Sequence, residues 1–386
     1  MAALGCRSPF DCGRSTACRR IWHDGAVAQR LVVISHASVI PANQSVYTEL
    51  SQEMDVHIVV PSVWRDDLRP TPYGFSRQAG SRATFHPVAT FGIGRVQRHL
   101  HMCSTVRTLQ RLRPDVVIIE EEAFSLAGWR WSRAARHLDI PYAVQSAENL
   151  ERPLPRLVRW WEHRVLSHCA WVMARSPAAA ERSRRHGASL VSGRVDVVAH
   201  GIDDVSVSDP QPRPGVVGFV GRLSEAKGVR DLLDMACRAP DLHFEFVGDG
   251  PLREEVEQAT PNVRFRGTLG ADELVTFYRS IAVLAVPSRT TPTWSEQFGR
   301  VIIEAQAQGT PVVAYDSGEI PWVAAETSVR LVREGDVESF VSELRALSLS
   351  AEGVTVGARG REGVAARFTN AVAAQQMRDF VTSITR

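Results

Sequence analysis

Two stretches of this 386-residue chain hold residue types suited to a charged, hydroxylated ligand. In GFVGRLSEAKGVRDLL (residues 218–233), Arg222 and Lys227 stand between a β-rich run and a helical pattern, where parallel sheets gather ligands. A helix N-terminus there adds amide donors and the positive end of a dipole, which suits a phosphate. Arg222 brings a bidentate fork, and Lys227 a compact point charge on a thin stem. Lys227 is also the sole lysine; the other 44 of the 45 basic residues are arginines. The order Lys-then-Gly excludes a Walker loop, which needs GxxxxGK[S/T]. By residue type alone, the pair reads as a phosphate site or as a surface charge pair.

The second stretch is PSRTTPTWSEQFGRVIIEAQAQGTPVVAYDSGEIP (287–321). Glu296 lies in its polar loop, and Glu304 follows on a helix starting near Phe298-Gly299. Helical side chains lean toward the N-terminus, so Glu304 points back to the helix mouth while Glu296 reaches from the loop. Carboxylates accept hydrogen bonds from the neighbouring hydroxyls of a sugar. Gly299 lets a diphosphate come close to the backbone. Two glutamates at this spacing, taken alone, are equally at home on a solvated face.

The elements that must hold these residues follow from the apolar runs. In the first half, LVVISH (31–36), VHIVVP (56–61), DVVIIE (115–120), PYAVQS (141–146) and WVMARS (171–176) lack polar alternation, as strands buried on both faces do. Helical patterns separate them, including residues 96–112 and 126–138. After VDVVAHGID (195–203) the alternation restarts with VVGFVG, LHFEFVG, VRFRG, AVLAVPS, TPVVAY and SVRLV. This predicts α/β architecture with two doubly wound parallel sheets facing a cleft. The expected division is an extension over 1–29, a first domain over 30–203, a Pro/Ser/Asp-rich linker over 204–214, a second domain over 215–369, and a last helix over 370–386 that crosses back to the first domain.

Charge is split between the halves. Residues 1–200 carry 26 arginines against 17 acids, and the remainder 19 basic residues against 26 acids. Such a split fits two domains with different partners, or a solvated surface with none. No basic-aromatic platform or helix-turn-helix pattern points to nucleic acid. Cys6, Cys12 and Cys18 open the chain without zinc spacing or an apolar leader, which reads as a cytoplasmic protein with reduced thiols and no bound metal.

In order along the chain, Gly221-Arg222…Lys227-Gly228, FVGDGPLREEV (246–256), Glu296-x7-Glu304 and EAQAQGTPVVAYDSGEIP (304–321) resemble the GT-B glycosyltransferases of family 4. The resemblance is dense over 195–325 and looser over 31–195, where EEEAFSLAG (120–128) and WEHRVLSHCAWVMARS (161–176) look like one bacterial branch. It implies a retaining transfer from a nucleotide-diphosphate sugar, most simply a UDP-sugar, without a metal or other cofactor. Carried over, Arg222 and Lys227 neutralise the diphosphate beside Gly221, Glu296 holds the transferred sugar, and Glu304 holds the ribose. The backbone of Gln297, Phe298 and Gly299 touches sugar and phosphates, and Arg266 lies near the nucleobase.

The acceptor half departs from the family pattern. SHASVIPANQS (35–45) has no glycine where relatives carry Gly-Gly, and YAVQSAENL (142–150) offers Glu148 and Asn149 where many have a histidine. Glu148 reads either as an acceptor ligand or as a cap. Glu120, Glu121 and Glu122 read either as a surface for a cationic, aminocyclitol-like acceptor or as helix N-terminal acids. The stretch RLVRWWEHRVL (156–166) reads either as packing or as a weak contact with an anionic membrane. The expected function is glycosyl transfer to a small polyhydroxylated or saccharide acceptor, as in aminoglycoside-like metabolism. The rivals are transfer to a surface polysaccharide or glycolipid, nucleotide-sugar epimerisation, and an inactive sugar-nucleotide-binding protein.

Overall fold

The structure, a computed structural model, describes residues 29–66, 71–188, 194–203 and 212–385. All of the proposed extension but its last residue, with its three cysteines, and most of the linker lie outside the described residues.

Seven parallel strands build the first sheet: β1 (Arg30–Ile34), β2 (Asp55–Pro61), β3 (Thr84–Val88), β4 (Val116–Ile119), β5 (Tyr142–Ser146), β6 (Trp171–Ala174) and β7 (Arg194–Val197). Their order is β7-β6-β5-β4-β1-β2-β3. Six more build the second: β8 (Arg213–Val220), β9 (His243–Val247), β10 (Val263–Phe265), β11 (Ile281–Val286), β12 (Val312–Tyr315) and β13 (Val329–Val332), ordered β10-β9-β8-β11-β12-β13. In each sheet the strand order reverses beside the first strand, so each has a crevice at its C-terminal edge, between β1 and β4 or between β8 and β11. β8 begins at Arg213, so it takes two residues expected in the linker.

The uninterrupted apolar runs bury both faces of each sheet. In the second domain one layer holds Phe219, Phe244, Phe246, Tyr315 and Phe340, and the other holds Leu284, Phe298, Ile302, Ile303 and Phe368. The helix Asn370–Thr385 packs Ala374, Met377, Phe380 and Val381 into the core of the first domain, where Phe380 stacks on Trp171 at 4.4 Å.

One expected element is different. Residues 96–112 do not form one helix: Leu100–His101 pairs with Thr90–Phe91 in a short hairpin, and only Thr105–Leu112 is helical. Ser104 caps that helix by accepting from the amide of Arg107. Tertiary packing overrides the helical pattern upstream, because His99 and His101 are buried among Trp64 and Trp131.

Candidate active site

The donor motifs meet at the crevice of the second sheet. The chain leaves β8 at Val220, passes Gly221 and the exposed Arg222, and winds a 3-10 turn over Glu225–Lys227. Gly228 then starts the helix Val229–Arg238 with φ +70°. A Cβ there would lie 1.8 Å from the carbonyl oxygen of Pro287, so only glycine lets this turn press against the end of β11. That contact brings Lys227 to Glu296: Nζ donates to Oε2 at 2.6 Å and sits 4.8 Å from the centre of the Trp294 ring. Ser288 also donates to Oε2 at 3.1 Å, and the amide of Gly299 donates to Oε1 at 3.2 Å. Glu296 is thus a buried, anionic hub with three donors.

Gly299 caps the helix Arg300–Ala307 with φ +79°. The neighbouring Phe298 ring packs against His200, Trp322 and Phe368, which anchors the loop. Gln297, between Glu296 and Phe298, is half-buried. Glu304 is held by Arg300 at 2.8 Å and accepts from the Tyr278 hydroxyl at 3.0 Å. Arg266 does not join this group. Its guanidinium turns to Glu245 at 3.4 Å, a carboxylate already gripped by Arg213 at 2.8 and 3.0 Å.

In the first domain the structure separates three glutamates that look alike in sequence. Glu120 pairs with Arg175 at 3.1 Å. Glu121 is fully buried, accepts from the His36 amide at 2.9 Å, and meets the His36 ring at 2.8 Å and His99 at 3.5 Å. Burial alone would raise its pKa, but the histidines outweigh it and hold the carboxyl below the usual range. Glu122 accepts from the amides of Ala147 and Glu148 at 2.7 and 3.0 Å. Glu121 and Glu122 are therefore committed inside the protein, so the three do not form one acidic surface, whereas Glu120, paired with Arg175, keeps one oxygen unpartnered and lines a cavity with Gln145, His200 and Arg300. Glu148 takes its capping role, accepting from the amide of Leu150 at 3.1 Å and pairing with Arg152.

The glycine-free loop after β1 is closed by side-chain amides. Gln44 donates to the carbonyls of Ser38 and Ser76, both at 2.7 Å, and Asn43 donates to Ala37 at 2.9 Å. Trp161 packs, with its indole donating to Phe124 at 3.0 Å, whereas Trp160 is exposed beneath Arg164. Among the described residues no helix is long and apolar enough to cross a membrane.

Asn149 spans the cleft. Its Nδ2 donates to the carbonyl of Glu296 at 3.1 Å, which also receives the amide of Glu319 at 3.0 Å. Glu319 in turn accepts from the amide of Ala178, at the start of a first-domain helix, at 3.5 Å. The first domain thereby helps set the position of the Glu296 loop. Asn149→Ala is expected to lower kcat/KM by about tenfold, the worth of one such hydrogen bond, and Asn149→Asp by more, since it opposes two acceptors. Steady-state kinetics on both variants check this; wild-type kinetics in both would show that the bridge contributes nothing to turnover.

His200, near the end of the first domain, packs on the same loop, with its ring 5.4 Å from that of Phe298. Burial, assisted by Arg175 and Arg300, holds its pKa well below the usual value. Its unfolded form takes a proton near pH 6.5, so the unfolded state binds more protons below that pH. Stability should therefore fall as pH drops from 7 to 5, and His200→Gln should flatten the slope in thermal melts.

His36, His99, Arg175 and His200 all help shape the cleft, and sequence reasoning did not select them. Gly92 and Gly94, just upstream of the helical pattern that hid His99, were the available signal of a turn there, and both adopt positive φ.

Residues 44–201 match the family described as "Glycosyl transferase 4-like domain", and residues 214–349 match "Glycosyl transferases group 1". The chain is 36% identical over 269 residues to the sulfoquinovosyl transferase SQD2 of Arabidopsis thaliana, covering 63% of this chain and 51% of that one. It is 30% identical to a GDP-mannose-dependent alpha-mannosyltransferase of Mycolicibacterium smegmatis, over 68% of this chain and 70% of that one. A 2-deoxystreptamine N-acetyl-D-glucosaminyltransferase of Streptomyces fradiae is 29% identical, over 69% and 68%. The chain spans only about half the length of several curated relatives. Among solved structures, Anabaena HepE in complex with UDP-glucose superposes with a TM-score of 0.67 at 16% identity, covering 92% of this chain and 99% of that one. With both halves matched to glycosyltransferase domains and the two sheets superposing on that architecture, the chain belongs to the family 4 glycosyltransferases of GT-B fold.

Proposed function

We propose that this chain transfers a sugar, with retention, from a nucleoside-diphosphate sugar to a hydroxyl of a small polyhydroxylated or saccharide acceptor. The observation that carries the reading is Lys227 Nζ at 2.6 Å from Glu296, with the Gly299 amide beside them at the mouth of a helix. That arrangement sets a cation and an amide donor against a diphosphate, and a carboxylate against sugar hydroxyls. Arg222 and Lys227 would take up charge as the bond from the anomeric carbon to the diphosphate oxygen breaks. The acceptor hydroxyl would attack the oxocarbenium-like sugar on the same face and pass its proton to the leaving phosphate. No protein base is then needed.

UDP is the nucleotide we assign, and the HepE complex with UDP-glucose supports it; the GDP-mannose relative supplies the rival. The Streptomyces relative named for 2-deoxystreptamine supports a cyclitol-type acceptor. With Glu121 and Glu122 committed internally and Glu120 the one carboxylate of the three at the cavity wall, such an acceptor would be recognised through its hydroxyls more than its charge. Incubation with a panel of UDP- and GDP-sugars and cyclitol or saccharide acceptors, read by mass spectrometry, tests the proposal. A glycosylated acceptor with retained anomeric configuration is expected. Interconverted donor sugars would indicate epimerisation instead, and binding without turnover would indicate an inactive protein.

A further inference from the structure

At the crevice of the first sheet, opposite the donor site, three metal-ligating side chains converge from distant segments. His36 follows β1, Glu121 follows β4, and His99 comes from the hairpin between β3 and β4. One ligand atom from each lies within 4.8 Å of the others. Two pairs are closer: His36 Nδ1 to Glu121 Oε2 at 2.8 Å, and His99 Nε2 to Glu121 Oε1 at 3.5 Å. Ligand atoms sharing one ion with bonds near 2.1 Å stand roughly 3.0–3.4 Å apart; the His36 pair, at hydrogen-bond distance, lies just below that range and the His99 pair just above it, so small side-chain shifts would seat a common cation.

Donor and acceptor accounting around His99 leads to the same conclusion. Its Nδ1 lies 2.9 Å from the carbonyl oxygen of Val96, which can only accept, so Nδ1 carries the proton. In the neutral ring Nε2 is then a lone pair. It is wholly buried, has no hydrogen-bond partner, and faces a carboxylate oxygen that also offers only lone pairs. Two facing acceptors in a dry site require a positive centre between them. A proton serves poorly, since a charge-assisted N–H···O bond closes to about 2.7–2.9 Å rather than 3.5 Å.

The surroundings are those of a ligated histidine. A metal-bound imidazole donates its other N–H to a carbonyl or carboxylate, as His99 does to Val96. Glu121 is fixed by the amide of His36 at 2.9 Å. The Trp64 ring lies 5.0 Å from His36 and 5.1 Å from His99, walling the group on one side. His101 is not a ligand, because its Nδ1 accepts from the Trp131 indole at 2.9 Å. His36 alone of the three retains exposure, at 17% of its side chain, so an ion enters past its ring.

We propose that His36, His99 and Glu121 bind one divalent transition-metal ion of the zinc class, as the imidazole and carboxylate donors favour. The ion is structural. It clips the glycine-free loop 35–45 to the end of β4 and to the hairpin, and so stiffens the floor of the acceptor half of the cleft. It belongs to the first domain and plays no part at the donor diphosphate, where Arg222 and Lys227 stand.

The test is metal titration of the full chain, stripped with a chelator and free of any polyhistidine tag. One equivalent of Co²⁺ is expected to bind with Kd of about 1 μM or below and to give visible d–d absorption. Zn²⁺ should displace it, and Zn²⁺ at about 100-fold excess over Kd should raise the Tm by roughly 5–10 °C. His99→Gln and Glu121→Gln should abolish both the absorption and the Tm shift. Circular dichroism establishes that each variant folds, and the wild-type titration decides the matter if one does not. Absence of Co²⁺ absorption and of any Zn²⁺-dependent Tm shift in the wild type would overturn the site and leave a protonated His–Glu–His cluster. Undiminished binding in both folded variants would overturn it equally.

Discussion

Lys227→Ala is expected to lower kcat by roughly 10²- to 10³-fold, the usual cost of removing one preorganised donor from a site where charge develops. In the proposed transfer the donor's diphosphate leaves with a full extra charge, and Lys227 is the half-buried cation at 2.6 Å from the Glu296 hub. The same change strips Glu296 of its one charged partner among its three donors, so part of the loss should come from a displaced carboxylate. Lys227→Arg should recover part of the rate. It keeps the charge, but its planar fork is wider than an ammonium wedged between Glu296 and a ring 4.8 Å away. Turnover measured at saturating donor separates this loss from weaker binding. An alanine variant with wild-type kcat would remove Lys227 from the chemistry.

Gly228→Ala should have the largest effect on stability, about 4 kcal/mol or more. Two costs combine there. The residue holds φ +70°, which disfavours a side chain, and a Cβ would stand 1.8 Å from a backbone oxygen of Pro287 that has no rotamer by which to retreat. The turn would have to move off the end of β11, and Lys227 would leave Glu296. Chemical denaturation should show a reduced midpoint, and any variant that still folds should lose activity as Lys227→Ala does. Near-native stability with full activity would show that the close approach of these two segments does not position the site.

Donor and acceptor halves were unequally legible, for a physical reason. Each donor motif is local: a strand end, a glycine with obligatory φ, and a helix start lie within a dozen residues, so spacing alone places Arg222 near Lys227 and Glu296 on the loop before Glu304. The acceptor residues take their roles from partners far along the chain. Glu120 finds Arg175, 55 residues away, and Glu121 finds His36, 85 residues away. Consecutive glutamates diverge as the chain leaves β4, and nothing local distinguishes them. Hairpin residues 96–101 were hidden for a related reason, since their helical pattern gave way to burial of His99 and His101.

By itself, the sequence determined two parallel α/β halves, the order of the donor motifs, and the glycines that fold them into a crevice. Apolar runs and φ requirements are properties of neighbouring residues, and they survive without knowledge of the whole. Only the tertiary structure decided which charges are spent and which remain. It buried Glu121 and Glu122 against internal partners, paired Glu120 with Arg175, turned Arg266 to Glu245, carried Asn149 across to the carbonyl of Glu296, and set His99 against Glu121. Those outcomes depend on where desolvation leaves a polar group, and burial is settled by the packing of the entire chain.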